Sequence, residues 1–159
     1  MTEALTRMTT ALSLTLERNY EHPLTKLYAA FTHIDAKRQW YGDEVNWEVS
    51  THTLDFKVGG WEHWRGRRGV DGPWMTNDAL FYDIVPEARI ITGYTMTMNG
   101  HLFTASQQVL EFSGTATGSH LKLTEQIIYV DRPDHHEDRI RGTELGMLQS
   151  LDDYLKSTS

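Results

Sequence analysis

Apolar positions change their spacing along this chain, and each change predicts a different element. Leu12, Leu14 and Leu16 alternate with Ser13, Thr15 and Glu17, the two-residue period of a strand with one buried face, ending near Asn19. After His22-Pro23, residues Leu24, Leu27, Tyr28 and Phe31 recur at helical spacing, which predicts a short amphipathic helix with Pro23 in its first turn. A second short helix is predicted from Asp35 to Tyr41, with Asp35 as N-cap and Gly42 at its end. From Val45 onward the helical period is lost. Strands are predicted over Trp47 to His52, Leu54 to Val58, Trp61 to Arg65, Met75 to Val85, Arg89 to Met98, Phe103 to Phe112 and Leu121 to Val130. Gly59-Gly60, Asp71-Gly72-Pro73, Pro86-Glu87, Asn99-Gly100 and the loop from Gly114 to Ser119 supply the turns, each short enough for antiparallel neighbours. Beyond Pro133, residues Ile140, Glu144, Met147, Leu148, Leu151 and Leu155 form one stripe of a long final helix, which needs a sheet to lie against. Asp134, with Glu137 three residues later, reads as its capping box.

Composition narrows the class. With 159 residues and no repeat or composition shift, we expect a flexible N-terminus over 1–11 and a single domain over 12–159. No apolar run approaches the roughly 20 residues that span a bilayer, so no membrane partner is expected. The opening MTEALTRMTT lacks the apolar core of a signal peptide, and cysteine is absent; a cytoplasmic location is expected, and thiol catalysis and Cys-ligated zinc are excluded. A net charge of -7 argues against nucleic acid, which needs a clustered basic surface. The one dense basic run, Arg65-Gly66-Arg67-Arg68, falls at a hairpin tip and reads as a solvated turn.

The predicted order is a strand, two short helices, a run of antiparallel strands and a long helix. That order resembles the α+β helix-grip fold of the START/Bet v 1 (SRPBCC) superfamily. Within it, the chain resembles the branch named for activator of Hsp90 ATPase homologue 1. The matching residues are Leu27-Tyr28-Ala29-Ala30-Phe31-Thr32 leading to Trp40-Tyr41-Gly42, Asp55-Phe56-Lys57-Val58-Gly59-Gly60, Asp83-Ile84-Val85-Pro86 with Arg89-Ile90, Thr124-Glu125-Gln126, and Gly146-Met147-Leu148-Gln149-Ser150-Leu151-Asp152. The resemblance implies a curved antiparallel sheet wrapped around the C-terminal helix with a cavity between them. Many members carry Trp where this chain has Met147, which implies a softer wall. Because a fold hosts many functions, the family name does not assign one. The resemblance leaves open an interaction module of co-chaperone type, for which an Hsp90 partner is a weak inference, and a homodimer.

Three sets of residues are candidates for chemistry. Trp40, Trp47, Trp64, Phe81, Tyr94, Met96 and Met147, with Trp61, Trp74, Met98 and Phe103, either form the core or line a pocket for a small apolar or aromatic molecule. Five tryptophans favour the pocket. Glu125 shares strand parity with Leu121, Leu123 and Ile127 and is expected to face inward; after Gly59-Gly60 one strand face carries Glu62 and Trp64 and the other Trp61 and His63, and Glu62 is the expected inward group, with the His63 imidazole as the alternative. If the two carboxylates converge on one cavity, desolvation would raise a pKa and make a general acid or base for cyclase-like or aromatase-like chemistry; otherwise Glu125 sits in water or pairs with Arg139 or Arg141. His135 and His136 are adjacent and diverge, and nothing in the sequence brings His52, His63 and His101 together, so no metal is expected. No cofactor is expected, since no phosphate-cradling loop is present: Gly59-Gly60 leads into a strand, and reads as a tight turn.

Overall fold

In the computed structural model the described residues are 8–42, 47–131 and 136–158. The order is β1 (Thr9–Tyr20), α1 (Leu24–Thr32), α2 (Ile34–Trp40), β2 (Glu48–Leu54), β3 (Trp61–Arg67), β4 (Met75–Val85), β5 (Arg89–Met98), β6 (His101–Gly114), β7 (Ser119–Val130) and a continuous C-terminal helix. That helix consists of α3 (His136–Thr143), a π-helical segment (Glu144–Gln149) and α4 (Ser150–Ser157). The seven strands form one antiparallel sheet in the order β1-β7-β6-β5-β4-β3-β2. Irregularities at Val49/Thr51, Phe81/Asp83 and Met96/Thr97 bend it, as bulges do.

One side of the sheet is closed by the helices. The α1 stripe buries Leu27, Ala30 and Phe31, and α4 buries Leu151 and Leu155. Both pack with Leu14, Leu110, Phe112, Leu121, Leu123 and Ile127 from the sheet. β1 also holds the C-terminal helix by polar contacts. Tyr20 donates its hydroxyl to the Leu148 carbonyl at 3.1 Å, and Arg18 pairs with Asp152 at 3.0 Å.

The structure corrects five boundary readings. The first strand begins at Thr9, inside the segment expected to be flexible, because Thr9 pairs with Val130 and Thr10 with Tyr129; a backbone ladder needs no apolar side chain. Asp35 lies inside the first turn of α2, whose N-cap residue is His33. Leu54 to Val58 is not a separate strand: Leu54 ends β2 opposite Glu62, and the chain then turns. Glu144 leaves the helix stripe and is exposed, because the wider π turn rotates it away from the sheet. β3, β6 and β7 each run two or more residues past their expected ends. The expected cap at Asp134, the adjacent His135 and residues 1–7 lie outside the described residues.

The turn at Gly59-Gly60 is docked on the neighbouring strand. Gly60 N–H donates to the Lys57 carbonyl at 2.8 Å, Gly59 N–H donates to the Phe81 carbonyl at 2.8 Å, and Phe81 N–H donates to Gly60 at 3.1 Å. A Cβ at Gly60 would lie 2.2 Å from the Asp55 carbonyl oxygen, so the turn closes only around glycine. Gly60→Ala is expected to cost about 1–3 kcal/mol in urea unfolding. A loss below about 0.5 kcal/mol would show that the turn relaxes freely.

Candidate functional site

Strand parity decides which side chains of β3 face the helices. Along this strand the exposure alternates, with Glu62 and Trp64 buried at 6% and 7%, whereas Trp61 is 46% exposed. The register carries that inner face across the sheet, since Glu62 stands opposite Ala79, Ala79 opposite Tyr94 and Tyr94 opposite Ser106. One row further, Gln108 stands opposite Glu125. The middle of the inner face therefore presents a strip of polar side chains among aromatic ones.

Each interior carboxylate in this strip has a cation. Lys37 Nζ from α2 lies 2.5 Å from Glu62 Oε1, and His52 Nε2 from β2 lies 2.8 Å from Oε2; an ionised carboxylate only accepts, so His52 carries its proton on Nε2. Burial alone would raise the Glu62 pKa, but Lys37 and His52 outweigh it and hold the carboxyl below the usual carboxylate range. Glu125 accepts from Tyr94 at 3.0 Å and from Gln108 at 2.6 Å, and its second oxygen takes Arg139 of α3 at 3.2 Å. Arg139 also donates to the Tyr94 hydroxyl. Burial and then the Glu125 charge push the Tyr94 phenol well up, so it stays protonated. Of the two readings, a carboxyl raised by desolvation or one paired as a structural group, the contacts of Glu62 favour the second.

Between the two ion pairs stands Tyr41, which follows α2. Its hydroxyl oxygen accepts from Asn77 Nδ2 of β4 at 2.6 Å. Burial and the nearby Glu62 charge push its phenol up, more than Arg139 lowers it. Gly42, next in sequence, has φ +56°, and a Cβ there would meet the Trp64 indole at 2.7 Å. This close approach sets the Trp64 ring edge-on to Tyr41 and Trp47, with centroids 6.4 and 5.3 Å apart.

A cleft of about 1050 Å³ opens between this inner face and the C-terminal helix. Trp47, Glu62, Trp64, Phe81, Tyr94, Met96, Glu125 and Met147 all line it, with Phe103. Trp40 does not. Its side chain is fully buried, packed on Phe31 at 4.9 Å, and its indole N–H donates to the Ala30 carbonyl at 3.0 Å, so it staples α2 to α1. Nor do Trp61, Trp74 and Met98 belong to the lining. Trp61 stacks on His63 on the outer face at 5.6 Å, beside a second concavity of about 710 Å³ with Leu80, Tyr82 and Ile128. Trp74 lies under Arg65 and Arg67, at 3.9 and 4.6 Å, and Arg68 lies over Trp47 at 5.0 Å; the basic hairpin is spent partly on tryptophan faces.

Lys37, Tyr41, Asn77 and Gln108 also line the cleft and were not anticipated. Lys37 had one sequence signal, its place three residues before Trp40 on the same helical face.

A sequence model described as "Activator of Hsp90 ATPase homolog 1-like protein" matches residues 21–159. Among solved structures, the chain is similar to an uncharacterised protein from Rhizobium leguminosarum, with 32% identity over 95% of this chain and 98% of that one and a TM-score of 0.89. A protein from Rhizobium loti gives 32% identity over 93% and 99% of the two chains, with a TM-score of 0.83. An AHSA1-like protein from Aeromonas hydrophila, at 14% identity over 92% and 94% and a TM-score of 0.69, shares the fold. No curated protein matches the chain.

Proposed function

The chain belongs to the activator of Hsp90 ATPase homolog 1-like family, and from that premise we propose that it binds a small, mainly apolar or aromatic molecule in the cleft between the sheet and the C-terminal helix. The observation that carries this reading is the cleft itself. Its volume of about 1050 Å³ suits a small molecule, and its walls combine Trp47, Trp64, Phe81, Phe103, Met96 and Met147. Aromatic and thioether side chains give an adaptable apolar surface, so affinity comes from burial of the ligand against them. The polar strip of Glu62, Tyr41, Asn77, Tyr94 and Glu125 supplies orientation.

A cyclase-like or aromatase-like reaction is less well supported by the same geometry. Acid-base chemistry asks for a carboxyl poised near neutral pH, whereas Glu62 is pulled the other way by Lys37 and His52 and Glu125 is engaged by Arg139.

Binding is read by intrinsic tryptophan fluorescence across a set of aromatic metabolites, since Trp47 and Trp64 stand in the cleft wall. Gly146 lies on the helix side of the cleft with open space around its Cα. For any compound that shifts the emission, Gly146→Leu is expected to weaken binding about tenfold with the melting temperature little changed. A set in which no compound moves the emission defeats the reading.

A further inference from the structure

Resting on the reading that the cleft binds a small molecule, we propose that the part of the ligand entering it is uncharged and presents a hydrogen-bond acceptor, such as a carbonyl oxygen, to the hydroxyl of Tyr41. Two observations carry this.

The first is the charge balance of the interior. Both oxygens of Glu62 are taken, by Lys37 and His52. Both oxygens of Glu125 are taken, by Tyr94, Gln108 and Arg139. Among the interior carboxylates an entering ammonium would find no oxygen without a partner, and Asp138 and Asp153, which also border the cleft, are exposed. An entering carboxylate would have to share Lys37 or Arg139 with a carboxylate already paired to it, setting two like charges against one buried cation. Burying an ion without a counter-charge costs more than an aromatic group gains by leaving water. Arg68 and Arg141 also border the cleft, but both are exposed; they can meet a charged tail in water, where such a contact adds little.

The second is the hydroxyl of Tyr41. Its oxygen already accepts from Asn77, and among the described residues no acceptor takes its proton. Burial and Glu62 keep that proton in place, so Tyr41 is a standing donor on the cleft wall. It lies beside the ring of Trp64, against which the apolar body of a ligand packs. A ligand oxygen at this point gives the Tyr41 hydroxyl the acceptor that no described residue supplies.

Equilibrium dialysis of the full chain against four naphthalenes of similar shape tests this: 2-acetylnaphthalene, 2-ethylnaphthalene, 2-naphthoate and 2-naphthylmethylammonium. The ketone is expected to bind about tenfold or more tighter than either ion, and about fivefold tighter than the ethyl compound. Tyr41→Phe is expected to bring the ketone and ethyl affinities together while leaving the ethyl compound unchanged. Either ion binding as tightly as the ketone overturns the inference on charge. A ketone advantage that persists in Tyr41→Phe overturns the assignment of Tyr41. The charge series is read on the unaltered chain and so does not depend on the variant folding. If none of the four binds, the ligand-binding reading falls, and this inference with it.

Discussion

Glu62→Gln is expected to destabilise the protein by about 3 kcal/mol, measured by urea unfolding. The amide keeps the shape of the side chain and can still accept a hydrogen bond, but it removes the only negative charge that the described residues bring into contact with Lys37 and His52, whose side chains are 11% and 2% exposed. A buried ammonium then stays without a counter-charge, and that is the costly outcome when one partner of an interior pair is removed. Removing both charges is a milder change. Lys37→Met/Glu62→Leu is expected to lose less than Glu62→Gln alone, which identifies the orphaned cation as the source of the loss. A single variant losing less than about 1 kcal/mol would mean that water reaches Lys37 and that the pair is not sealed.

The same pair predicts an acid limb. The folded carboxyl of Glu62 titrates below its ordinary value of 4.5, so at intermediate pH the unfolded chain binds the proton more readily than the folded one. Its contribution is therefore complete above about pH 4.5 and is lost as pH falls through the lower folded value. Glu62→Gln is expected to flatten that part of the stability profile, while the acid loss from other carboxylates remains.

Arg139→Met is expected to have the second large effect, a loss of about 2–4 kcal/mol concentrated at one end of the C-terminal helix. Glu125 is 3% exposed and would be left with Tyr94 and Gln108, two neutral donors that both reach Oε1, so that Oε2 loses its donor and the charge its balance. Arg139 also ties α3 to the inner face of β5 and β7 by polar contacts, through Tyr94, Met96 and Glu125. α4 is held separately, by the buried side chains of Leu151 and Leu155 and by Ser150, which donates to the Trp40 carbonyl at 2.7 Å. Hydrogen exchange of the variant should therefore quicken across α3 and change little in α4. Uniform quickening of the whole helix would show that the two halves open as one unit, contrary to this division.

Sequence patterns made the fold legible because its elements depend on local periodicity. The two-residue period of β3 placed Glu62 and Trp64 on one face, and the spacing of Leu24, Leu27, Tyr28 and Phe31 gave α1. Pairing across the site was less legible. Lys37 reads as a solvent-facing charge until α2 is packed against β3, and Glu62 lies 25 residues away. His52 sits on another strand, with no sequence sign that it would share the same carboxylate. Arg139 was one of two arginines named for Glu125, and only the helix's placement chose between them. Trp40 shows the opposite difficulty: composition offers an aromatic residue to either a core or a pocket, and only the acceptor at Ala30 separates the two. The π segment left no periodic signal, because one wide turn shifts the stripe without destroying it.

β1 stands beside β7, so among the described residues the first strand in sequence is paired by the last. Thr9 meets Val130 and Tyr20 meets Ser119, contacts separated by about 100 residues or more, while every other pairing joins neighbours in sequence. Such distant partners carry the entropy of closing a long loop, which slows folding. During synthesis the meander from β2 to β6 can form in order, but Leu12, Leu14 and Leu16 must wait uncovered until residue 130 has emerged. The final helix, which needs Arg18 and Tyr20 for its anchors, waits with them. Closure of the β1–β7 ladder is therefore expected to come late in folding, and with it the anchoring of the C-terminal helix that walls the cleft.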